Sequence, residues 1–82
     1  MTTAETLDRR LVAILTRQLR LDGGTSFLST VNLSDLGLDS LGMLAFIASI
    51  EREFEISVSD RDYESLATFG DAVALICRLR RA

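Results

Sequence analysis

Residues 40–54 place apolar side chains at helical spacing rather than at the two-residue spacing of a strand. With Ser40 set at 0°, Met43, Phe46, Ile47, Ile50 and Phe54 fall between about 240° and 340°, an arc wide enough to face a core. Leu41, Leu44, Ala45 and Ala48 fall between about 40° and 140°, forming a second apolar stripe beside Ser40. A helix packed on one side has no structural need for that stripe. Either it is a docking surface, flanked by Glu51 and Arg52, or the long connection that precedes it folds over it.

Two further segments share the helical period. From Ala4 to Leu21, Leu7, Leu11, Ile14 and Leu15 line one face, and Arg9, Arg10, Arg17 and Arg20 lie roughly opposite, where a solvated face is expected, with docking of a partner as the alternative. Thr2 and Glu5 have capping-box spacing at its start. Near the other end of the chain, Thr68 and Asp71 have capping spacing and open a helix to about Arg81. Its expected inner face is Phe69, Val73, Ile76 and Leu79, with Arg78, Arg80 and Arg81 at the end where the helix dipole favours cations. Asp22-Gly23-Gly24-Thr25-Ser26 breaks the first helix, and a long connection runs to about Asp39. Phe27, Leu28, Val31, Leu33, Leu36 and Leu38 punctuate it, so packing over the core is expected. Between Ser57 and Leu66 there is room for a loop and one short helical turn. The expected fold is all-α: a small bundle of three main helices and one short one, a single domain over residues 1–82.

Charge is distributed unevenly. Residues 35–71 carry nine acids against Arg52 and Arg61, whereas both flanks are net basic. An acidic middle repels phosphate backbones and favours basic protein surfaces, so nucleic acid is excluded as a partner. No apolar run approaches the ~18 residues of a membrane span, and no membrane association is expected. Met1 to Glu5 lacks the basic and apolar pattern of a signal peptide. Cys77 has no partner for an internal disulfide. Both point to the cytoplasm.

Intrinsic catalysis and metal binding are not expected. The chain has no histidine, so no Ser-His-Asp triad, and its one cysteine leaves no transition-metal site of ordinary composition. Gly23-Gly24 lacks the flanking pattern of a phosphate loop, and Asp60, Asp62 and Glu64 are wrongly spaced for calcium. Ser40 is nevertheless presented at a helix start, after Gly37 and beside Asp39, without lysine or histidine to activate it. A hydroxyl presented but not activated reads as a substrate for another enzyme. Asp39 suits the helix cap, a contact to that enzyme or its metal, or both.

Leu36-Gly37-Leu38-Asp39-Ser40-Leu41, followed by an apolar helix ending Ile50-Glu51-Arg52-Glu53-Phe54, resembles the acyl carrier proteins across essentially the whole chain. That resemblance implies a serine, Ser40 here, that receives 4′-phosphopantetheine from coenzyme A through a phosphopantetheinyl transferase, with Asp39 as a contact to the transferase or the arm. It implies a monomeric, non-catalytic carrier that holds acyl groups as thioesters for acyl-loading and condensing enzymes. Leu41, Leu44, Ala45, Ala48 and Glu51 would form the partner face. Carriers of fatty acid synthesis usually have an acid at the position of Ala45 and often at Gly42. Their absence points to a discrete carrier of polyketide-type or related specialised biosynthesis. An aminoacyl or peptidyl carrier is the alternative within the class, and Asp39, where peptidyl carriers have histidine, leans against it. An unmodified carrier-like interaction module is the alternative outside it.

Overall fold

In a computed structural model the backbone is described for residues 3–21 and 27–81, and side chains for 7–21 and 27–80. Four α-helices follow in order: α1 (Thr3–Leu19), α2 (Ser40–Phe54), α3 (Asp60–Glu64) and α4 (Phe69–Arg81), with a 3-10 helix at Leu33–Leu36 ahead of α2. The Thr2–Glu5 capping box and the break at Asp22–Ser26 lie outside the described residues.

Each start has a local cause. Asp39 caps α2 by accepting from the Gly42 N–H at 2.7 Å. Ser59 and Asp62 form a reciprocal capping box on α3. Thr68 accepts from the Asp71 N–H, while Asp71 accepts from the Thr68 and Ala67 N–H groups. The first helix ends two residues earlier than its period suggests, because Arg20 turns left-handed (φ 57°) and the Leu21 N–H reaches back to the Thr16 carbonyl.

The core joins three helices. Leu7, Leu11, Ile14 and Leu15 of α1 meet Phe46, Ile47, Ile50 and Phe54 of α2, and α4 adds Phe69, Ala72, Leu75 and Ile76. The inner face of α4 is therefore rotated from the expected one: Ala72 and Leu75 are buried, while Val73 and Leu79 are only partly so. Leu33 and Leu38 drop into the core from the connection, and Phe27 packs on Phe69 with ring centres 5.6 Å apart. Backbone bonds pin the connection to the start of α4: Leu33 N–H to Ala67 O, Phe69 N–H to Val31 O, and Gly70 N–H to Ser29 O. Leu28 is the exception among its apolar residues, being largely exposed.

Arg10 of α1 departs from the expected solvated face. Arg10 is half-buried, donates to both the Glu53 carboxylate (2.9 Å) and the Glu53 carbonyl (2.8 Å), and covers the Phe54 ring at 4.4 Å. That pairing spans 43 residues of sequence and depends on the helices being assembled.

On the opposite side, Arg78 of α4 holds Asp62 of α3 at 2.6 Å. That bond, with the Ser59 hydroxyl, keeps the Asp62 carboxyl below its ordinary value of 3.8; the Thr68 and Ala67 N–H groups do the same for Asp71. A folded pKa below the unfolded one contributes stability that is present above the ordinary value and lost as pH falls through the folded one. Thermal melts from pH 6 downward should therefore show wild type losing stability below about pH 4. Asp62→Asn/Asp71→Asn should melt lower than wild type at pH 6, with the gap closing in acid.

Candidate functional site

The turn before α2 is built to present its first residue. Gly37 closes the 3-10 helix with φ 105°, donating to the Ser34 carbonyl; a side chain there would be strained. Leu38 then points into the core and Asp39 takes the cap position. Ser40 is left as the first helical residue, exposed at the positive end of a 15-residue helix. A buried leucine on one side and a capping aspartate on the other fix where the hydroxyl stands.

That turn is also tied to α1. Gln18 donates from Nε2 to the Gly42 carbonyl at 2.8 Å, and its buried Oε1 has no hydrogen-bond partner among the described residues. Gln18 was not singled out from sequence, although it lies four residues beyond Ile14, at the inward edge of α1. Gly42 explains one missing acid locally: a Cβ there would approach Asp39 Oδ1 to 3.1 Å and Leu38 Cδ2 to 3.3 Å. An aspartate at Gly42 would add a second carboxylate beside the cap.

The second stripe of α2 is open. Leu41 is 77% exposed and Leu44 56%, and Ala45 and Ala48 are exposed with them. The described part of the connection, residues 27–39, packs over the core and α4 and does not cover it. Glu51 is half-buried, and one of its carboxylate oxygens accepts from the Val58 N–H at 2.8 Å. The glutamate thus also fastens the chain that leaves α2. Where α1 and α2 run side by side, Arg17, Ser49, Arg52 and Glu53 line a shallow recess next to the stripe.

Ser40 has no base beside it that would make it a nucleophile, so the arrangement supports acceptance of a group rather than catalysis. A phosphodiester on the Ser40 oxygen fits: the residue is exposed, and the helix end offers a positive dipole to the anion. Leu41 and Leu44 would give an apolar arm a surface to lie against. Among the described residues no three acidic or sulfur side chains converge as a metal site, and no helix is long and apolar enough to cross a membrane.

Residues 9–76 match the family model described as phosphopantetheine attachment site. The chain is 37% identical over 70 residues to acyl carrier protein 3, chloroplastic, of Hordeum vulgare; the alignment covers 85% of this chain and 53% of that relative. The chain thus spans about half the length of the barley protein. It is 36% identical over 69 residues to the acyl carrier protein of Onion yellows phytoplasma (strain OY-M), covering 84% of this chain and 91% of that one. Among solved structures, an acyl carrier protein from Thermotoga maritima superposes with a TM-score of 0.81, covering 95% of this chain and 91% of that one. At 18% identity that likeness speaks to the fold alone.

Proposed function

Because the chain belongs to the phosphopantetheine-attachment family, among the acyl carrier proteins, we propose that Ser40 is the residue that carries its 4′-phosphopantetheine. The family is one of non-catalytic carriers whose prosthetic group is covalently attached. When bound, the group supplies a terminal thiol on which acyl groups are held as thioesters. The chain's own residues do the rest. Asp39 holds the first turn of α2, Gln18 ties that turn to α1, and Ser40 offers its oxygen to a transferase that supplies the catalysis. The single observation that carries this reading is the exposed, unactivated Ser40 at the capped start of α2.

Within the family, the chain reads as a discrete carrier for polyketide-type or related specialised biosynthesis, served by a phosphopantetheinyl transferase and by acyl-loading and condensing enzymes. Support comes from the stripe itself, which is apolar where Ala45 replaces the acid usual in fatty-acid carriers. It works as a monomer in this reading. The half-buried free thiol of Cys77 suits a reducing compartment such as the cytoplasm.

Loading tests the proposal. Incubated with coenzyme A and a broad-specificity phosphopantetheinyl transferase, the folded chain should gain one arm, and an acyl-coenzyme A should deliver a hydroxylamine-labile acyl group with it. Ser40→Ala, with an unchanged melt, should gain neither. An arm on Ser40→Ala, or none on the wild type with several transferases, would overturn the assignment.

A further inference from the structure

The exposed face of α2 carries a polarity opposite to that of an acidic docking helix. From Ser40 the stripe runs through Leu41, Leu44, Ala45 and Ala48 for about 18 Å and ends at Arg52, at about 120° on the helical wheel and thus within the azimuth of the stripe itself. Arg17 of α1 shares a recess with Arg52, and among the described residues neither arginine has an ion-pair partner. Glu53 lines the same recess, but its carboxylate is held by Arg10. Within that recess the balance is therefore positive, although the chain as a whole is acidic. The other acids of α2 lie outside that recess: Asp39 and Glu51 keep their charge while accepting from the Gly42 and Val58 N–H groups, and Glu55 stands exposed at the C-cap of α2.

We infer that the enzymes that dock on α2 present an apolar patch bordered by carboxylates that meet Arg17 and Arg52. The inference rests on Ser40 being the attachment point and adds the chemistry of the partner. Two guanidinium groups, one from each helix and neither ion-paired among the described residues, make a pair of cations that an acidic rim complements and a basic rim is repelled by. Discrimination arises from the repulsion as much as from the attraction.

Two forms of one phosphopantetheinyl transferase test it, one with a basic carrier-docking face and one with those basic residues replaced by glutamate. Both must retain kcat at saturating carrier. The wild-type chain should show a KM lower on the order of tenfold for the acidic form at low salt, the gap shrinking as salt screens it. Arg17→Glu/Arg52→Glu should reverse that preference without changing kcat or the melting temperature. Equal KM values for the two forms, or a preference of the wild-type chain for the basic form, would overturn the inferred polarity and leave Ser40 as the attachment point. If neither form modifies the folded chain, the reading of Ser40 falls and this one with it.

Discussion

Phe54→Ala should lower the melting temperature by on the order of 15–30 °C, a large loss for a domain of this size. Phe54 is 6% exposed and closes the end of α2 against α1 and α4. Its ring is covered by Arg10 at 4.4 Å, with the Arg80 guanidinium 5.8 Å from its centre. Truncating a buried phenylalanine typically costs about 3–5 kcal/mol, against a total of about 5–15 kcal/mol for a small domain. Cation–π contact with Arg10 adds to that loss, and the Arg10–Glu53 bridge would lose the surface that seats it. Circular-dichroism melts of the unmodified protein measure the effect. A shift of only a few degrees would mean that the core does not depend on this end of the bundle.

Leu44→Asn should do the reverse, leaving the melt within a few degrees of wild type and weakening partner engagement. Its side chain is 56% exposed and stands off the core arc. Burying the exposed half of a leucine against a partner contributes about 1–1.5 kcal/mol, or roughly five- to tenfold in KM. Asparagine is neutral, so the charge pattern set by Arg17 and Arg52 is unchanged and the measurement isolates apolar contact. Leu44 is preferable to Leu41, which adjoins Ser40 and would disturb the acceptor directly. Transferase kinetics at varied carrier concentration give the readout. An unchanged KM would remove the stripe from the docking surface, and a large fall in melting temperature would make Leu44 part of the core.

How far the sequence showed all this depends on how local each cause is. The bounds of α2 were legible because Asp39 caps it within three residues and an unbroken apolar period carries it to Phe54. The capping of α4 by Thr68 and Asp71 was legible for the same reason. The 3-10 helix at Leu33–Leu36 is too short to impose a period, and its pairing with the start of α4 exists only once the chain has folded. The face of α4 was misjudged because weight went to large side chains, whereas the small Ala72 is completely buried and Leu75 belongs to the core. Arg10 could not be told from its neighbours on α1 without Glu53 in place. The positions of Ser40 and Asp39 at the start of α2 and the azimuth of Leu41, Leu44, Ala45 and Ala48 were readable from order and period, whereas the exposure of that stripe was left between two readings. The ties through Gln18 and through Glu51 to Val58 were not readable, since both are contacts between separate segments.

The most direct test of the account is to locate the modification. The protein is treated with coenzyme A and transferase, digested, and its peptides fragmented in a mass spectrometer under conditions that preserve the phosphodiester. A single phosphopantetheinyl group on the peptide that spans the start of α2, with fragment ions assigning it to Ser40, is the predicted result. The same group on Ser34, Ser49 or any other hydroxyl, with Ser40 bare, would contradict it.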